Sequence, residues 1–140
     1  MLRISKMADY GTLIMAMMAK EEEKLFSASE IALHTHIALP TVSKLLKKLT
    51  KSGLLVSLRG PHGGYRLKRS ASEITVFEII TALEDRLGLT ECSQAGSQCV
   101  LQPVCQTKGS WRVINKAIVD ALSAVSLLTL ATEEATVTFS

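Results

Sequence analysis

The chain has 140 residues, 47% of them apolar and 21% charged, which is enough to bury one core and too few for two full domains. Aromatics make up only 4%, so Leu, Ile, Val, Ala and Met must fill that core, a composition suited to helix-on-helix packing and unsuited to a many-stranded sandwich. The net charge of +3 is uneven: residues 1–70 carry 12 Lys and Arg against 5 Asp and Glu, and residues 71–140 carry 4 against 8, so the basic half is the one that can face a phosphate backbone.

Ser5 to about Lys20 favours helix, and it contains the longest apolar run, Leu13 to Ala19. That run falls far short of the ~18 residues needed to cross a bilayer. The polar opening MLRISKMADYG also lacks the apolar segment of a signal peptide, so a cytoplasmic protein with no membrane partner is expected. Leu13 to Met18 has no polar face, which predicts a helix covered on more than one side, by its own domain and by a partner subunit. After the polar connection Glu21 to Lys24, Ser27-Ala28-Ser29-Glu30 has capping-box spacing and starts a short second helix to about His34. His36 to Leu39 reads as a turn.

Pro40 suits the start of a third helix, which runs through Lys51 until Gly53 ends it. Val42, Leu45, Leu46 and Leu49 recur at helical spacing and face inward, leaving Thr41, Ser43, Lys44, Lys47, Lys48 and Lys51 outside. Leu54 to Arg59 and Tyr65 to Lys68 read as strands joined by Gly60-Pro61-His62-Gly63-Gly64. Helix, turn, basic helix and hairpin in this order describe a winged helix-turn-helix. Pro40, Thr41, Ser43 and Lys44 would then reach base edges in the major groove, and Lys47, Lys48 and Lys51 would lie against phosphates. Arg59 at the wing suits a narrow minor groove, and His62 at the hairpin tip joins this DNA-facing set. The plain alternative for the lysines is solvent exposure.

Thr75 to Glu78 repeats the capping-box spacing and starts a helix to about Leu83. Gly88 to Gln102 has no periodicity and reads as a loop. From Pro103 a long helix carries Trp111, Ile114, Ile118, Ala121, Val125 and Leu128 at alternating spacings of three and four, the stripe of a dimerisation helix. The expected fold is mainly α with a small β-hairpin wing. Its parts are a winged helix-turn-helix domain over 1–87, a cysteine-bearing loop over 88–102, a dimerisation helix over 103–130 and a flexible tail over 131–140.

No nucleophile, base and orienter set appears, so neither an enzyme nor a small-molecule substrate is expected; His34, His36 and His62 lie far in sequence from the cysteines. The glycine-rich turn lacks the Lys-Ser or Lys-Thr pair of a phosphate-binding loop. Cys92, Cys99 and Cys105 are three, so they cannot all pair within one chain. Their spacing is too wide for a zinc knuckle, and no fourth Cys or nearby His closes a tetrahedral site. Three thiols on a loop suit an iron-sulfur cluster, whose irons prefer soft sulfur, while three incidental or redox-active cysteines fit the spacing equally.

The segments RISKMADYG (3–11), LPTVSKLLKKL (39–49), LRGPHGGYRL (58–67) and ITVFEIITALE (74–84), with the cysteine spacing, resemble the IscR/NsrR-type family of bacterial winged-helix transcription regulators, and within it the branch that controls SUF iron-sulfur assembly. The resemblance covers Leu2 to about Leu130. It implies a homodimer crossed through the C-terminal helix, reading a palindromic double-stranded DNA operator, and an iron-sulfur cluster on Cys92, Cys99 and Cys105, with [2Fe-2S] ahead of [4Fe-4S]. Some relatives complete the cluster with a His just after the last Cys, but Gln106, Thr107 and Lys108 stand there. Others use an acid near the start of the first helix, donated by the second subunit, and Asp9 matches that place, with Glu91 as the spare. The implied output is cluster-controlled repression of iron-sulfur assembly (SUF) genes. The alternatives are a nitric oxide or redox sensor of the same family and a metal-free cysteine interaction protein with no DNA target.

Overall fold

The computed structural model describes residues 5–84 and 108–133. The first helix, α1 (Lys6–Ala19), starts where the Ser5 hydroxyl accepts the Ala8 amide at 3.2 Å. In α2 (Ala28–Thr35) the Ser27 hydroxyl caps the Glu30 amide at 3.1 Å. His36 ends α2 in the left-handed region (φ 60°), its amide donating to the Ala32 carbonyl, and this sets the sharp turn into α3 (Leu39–Lys51). Pro40 therefore occupies the second position of α3, one residue later than a helix starting at Pro40 would place it. Gly53, at φ 82°, ends α3 as expected.

The wing is an antiparallel pair, β1 (Leu55–Leu58) and β2 (Gly64–Leu67), in register Leu55 to Leu67 and Leu58 to Gly64. Phe26 bridges the other edge of β2 through two backbone hydrogen bonds with Tyr65, both 2.8 Å. Two glycines are required here by close approach. A Cβ at Gly63 would overlap the Leu58 carbonyl, and one at Gly64 would stand 2.7 Å from the Phe26 oxygen.

The helix α4 (Val76–Leu83) begins with a full capping box: the Thr75 hydroxyl accepts the Glu78 amide at 3.2 Å, and Glu78 accepts the Thr75 amide at 2.9 Å. It crosses α1 closely, since buried Gly11 leaves room for the Leu83 side chain. The apolar run on α1 is covered on several sides, because α1 packs against α2, α3, α4, β2 and the last helix.

The C-terminal part differs from one dimerisation helix over 103–130. It is two helices, α5 (Lys108–Ala124) and α6 (Leu127–Glu133), separated at Val125 and Ser126. The break is set by backbone pairing with the chain around α4: the Val76 amide donates to Val125 at 2.9 Å, Leu127 to Ile74 at 2.8 Å and Leu128 to Ala71 at 3.1 Å. Ser126 then caps α6 by accepting the Thr129 amide at 3.2 Å. Leu127 is fully buried and Ala131 is buried, and α6 packs on α1. The boundary expected between 130 and 131 thus falls inside α6, and the core of the DNA-binding body extends beyond residue 87 to take in α6. The expected cysteine loop over 88–102 lies outside the described residues. Among the described residues no helix is long and apolar enough to cross a membrane.

Candidate nucleic-acid interface

The amphipathic pattern of α3 works as the sequence predicts. Val42, Leu45, Leu46 and Leu49 are fully buried against α1, α2, α4 and β1. On the opposite side Pro40, Lys44, Lys47 and Lys51 are exposed in one row, at spacings of three and four, and Thr41, Ser43 and Lys48 are half-buried on its flanks. Among the described residues none of these four lysines is held in an ion pair, so their charge is available to an anionic partner. Arg59 and His62 are exposed at the wing. From residue 31 to residue 72 the chain carries eight Lys and Arg and no Asp or Glu, so the helix-turn-helix and the wing form a continuously basic sequence.

The foot of the wing is tied to α4. Arg69 donates to Glu78 at 2.7 Å and to the Glu73 carbonyl at 3.3 Å. Burial works to raise the Glu78 carboxyl, but the Thr75 backbone amide and the Arg69 guanidinium outweigh it and hold the group below its ordinary value. At its other end, α4 is tied to α1: Glu84 accepts the Ser5 amide at 2.9 Å. Sequence reasoning missed both Arg69 and Glu84. Glu78 was marked by its capping box, but nothing local marks a contact spanning 79 residues.

Beside the Glu84 contact lies a cleft of about 600 Å³ between α1, α4, α5 and α6. Ser5, Lys6, Asp9, Thr12 and Glu84 supply its polar lining, and Ile80, Leu122 and Leu130 are among its apolar residues. Asp9 is exposed there. Glu84 is the last described residue before the stretch that carries Cys92, Cys99 and Cys105; those cysteines, Glu91, Gln106 and Thr107 lie outside the described residues. Of the expected dimerisation residues, Ile114, Ala121 and Leu128 are exposed, and Trp111, Ile118 and Val125 are half-buried. The exposed three stand seven residues apart, next to Val113, which is 69% exposed.

A family model described as Rrf2, an iron-dependent transcriptional regulator, matches residues 4–133. The chain belongs to the Rrf2 family. It is 34% identical over 131 residues to the transcriptional regulator NsrR of Oceanobacillus iheyensis, covering 92% of this chain and 87% of that one. Its fold is similar to that of T. potens IscR (TM-score 0.74, 27% identity, 99% and 94% of the two chains). It is also similar to CymR, the global cysteine regulator of B. subtilis (TM-score 0.71, 28% identity, 94% and 98%). This Rrf2 protein is accordingly a DNA-binding transcriptional regulator with a winged helix-turn-helix, and its family and relatives are regulators, not enzymes. The recognition by sequence motifs stands at the level of the family.

Proposed function

We propose that this Rrf2 protein is an iron-sulfur-cluster-sensing repressor of iron-sulfur assembly (SUF) genes, acting as a homodimer on a palindromic DNA operator. The observation that carries the proposal is the exposure of Asp9 in the cleft near the start of α1, where its carboxylate is open to a group held by a second copy of the chain. Three soft thiolates and one harder carboxylate fit an iron-sulfur group, and the family's description as iron-dependent supports it. Cys92, Cys99 and Cys105 would hold the group, with Asp9 given by the partner subunit as the fourth ligand. When bound, it supplies iron-thiolate bonds that are lost on oxidation or iron depletion.

The chain's own residues relay the state of that stretch to DNA. Glu84 holds the C-terminal end of α4 to the start of α1, and Glu78, itself capped by Thr75, holds the N-terminal end to Arg69 at the foot of the wing. A pull on Glu84 shifts α4 and re-aims Arg59 and His62, while Thr41, Ser43 and Lys44 read bases and Lys47, Lys48 and Lys51 hold phosphates. The dimer forms through the exposed residues Ile114 and Ala121 on α5 and Leu128 at the start of α6. A second reading, redox or nitric oxide sensing through the same thiols, is favoured by the likeness to CymR, the global cysteine regulator.

Anaerobic reconstitution with iron and sulfide tests the proposal. The wild-type chain should gain visible absorption and stoichiometric iron, and any single Cys→Ala variant should lose both. Asp9→Ala should still assemble some cluster but lose it faster in air. Wild-type iron content in all three Cys variants would refute the cluster and leave the DNA-binding part.

A further inference from the structure

We infer that Leu39, together with Ser43 one turn later, reads a thymine in each operator half-site: the leucine packs on the C5-methyl group, and the serine hydroxyl donates to O4. The inference rests on the proposed placement of α3 in the major groove.

Among the leucines of α3, Leu45, Leu46 and Leu49 are fully buried, whereas Leu39, the first residue of the helix, is 45% exposed. Its neighbourhood is apolar and uncapped: Ala38 at the N-cap makes no side-chain hydrogen bond, and exposed Pro40 follows. A spacing of four places Leu39 and Ser43 side by side on one flank of α3, next to the exposed row Pro40, Lys44, Lys47 and Lys51. With Lys47 and Lys51 of that row set against the backbone, the flank at the N-terminal end faces base edges. The thymine methyl is the apolar group that base edges display in the major groove, and the same base carries the acceptor O4 beside it. A leucine and a hydroxyl at this spacing therefore match one face of one base. Cytosine offers neither the methyl nor the acceptor, and presents an amino donor instead. Leu33 on α2 is more exposed, at 74%, but it is not on the helix that carries the basic row.

The test uses the full-length protein and an operator that the wild type selects from a random duplex library. Each thymine of the half-site is replaced in turn by deoxyuridine, which removes only the methyl group. At one thymine per half-site, wild-type affinity should fall about fourfold per site replaced, the equivalent of ~0.8 kcal/mol for one buried methyl. Leu39→Ala should bind the thymine and uracil duplexes equally, and Leu39→Met, which keeps the apolar reach, should retain discrimination. Ser43→Ala should bind both more weakly and keep the fourfold ratio. A wild-type ratio in Leu39→Ala, loss of discrimination in Leu39→Met, or no discriminating thymine anywhere in the half-site would overturn the inference. Lys47→Ala separates this from the placement of α3: it should weaken both duplexes alike, and unchanged affinity would remove α3 from the DNA and the inference with it.

Discussion

Leu127→Ala probes whether α6 belongs to the core of the DNA-binding body. The side chain is fully buried at the start of α6, and its own amide is paired to Ile74. Truncating a leucine at such a site removes its transfer free energy and leaves a cavity, costing about 3 kcal/mol, or roughly 10 °C in Tm for a chain of this length. Leu128, the next residue, is 42% exposed, and Leu128→Ala should cost less than about 1 kcal/mol of chain stability. Urea unfolding of the metal-free protein, followed by far-ultraviolet circular dichroism at several protein concentrations, gives both values, and sedimentation gives the self-association constant. Leu127→Ala should lose stability and keep its association constant; Leu128→Ala should do the reverse. Equal costs, or an association constant that falls with Leu127→Ala, would refute the docking of α6 on its own chain.

Further outcomes follow from single contacts. Ile114→Asp would place an unpartnered charge in the dimer seam and should yield monomers in sedimentation, whereas an unchanged dimer would move the interface off α5. Lys47→Ala should lower the salt slope of operator binding by about one unit without changing sequence preference; an unaltered slope would mean that Lys47 meets no phosphate. Gly64→Ala drives a Cβ into the Phe26 backbone and should cost about 1–3 kcal/mol in thermal unfolding; wild-type stability would disprove that close approach. The depressed Glu78 carboxyl adds stability above its ordinary value of 4.5 and loses it as the pH falls through its lower folded value. Glu78→Gln should therefore flatten the acid limb of stability below pH 4.5 and, because the pair is over a third exposed, cost under about 1 kcal/mol at neutral pH; an acid limb identical to wild type would show that Glu78 carries none of it.

The parts of the fold that were legible in the sequence are those decided within a few residues. Ser27 and Thr75 mark helix starts because a hydroxyl reaches an amide three positions on, and Gly53 marks a stop because few other residues tolerate its φ. The break at Val125 and Ser126 was not legible, although Ser126 is itself a capping residue. The apolar spacing runs through it without Gly or Pro, and the pairing that opens the helix comes from Ala71, Ile74 and Val76, about fifty residues earlier. Two chain segments far apart in sequence compete with the local helical hydrogen bonds, and a periodicity argument sees only one of the competitors.

The same limit shaped the candidate site. The helical period separated the buried face of α3 from its outer face, because burial there follows one amphipathic helix. It could not rank the outer residues. Thr41, Ser43 and Lys48 are half-buried because α3 is packed on several sides, by α1, α2, α4 and β1, so its flanks are narrowed and the row from Pro40 to Lys51, with Leu39 at the helix start, stands clear. That ranking matters for recognition. Long lysines on the clear row can reach phosphates, whereas short side chains must sit at the end of the helix to touch a base. This is why an apolar Leu39, unremarkable in the sequence, becomes informative only once its exposure is set beside the full burial of the three leucines that follow it on α3.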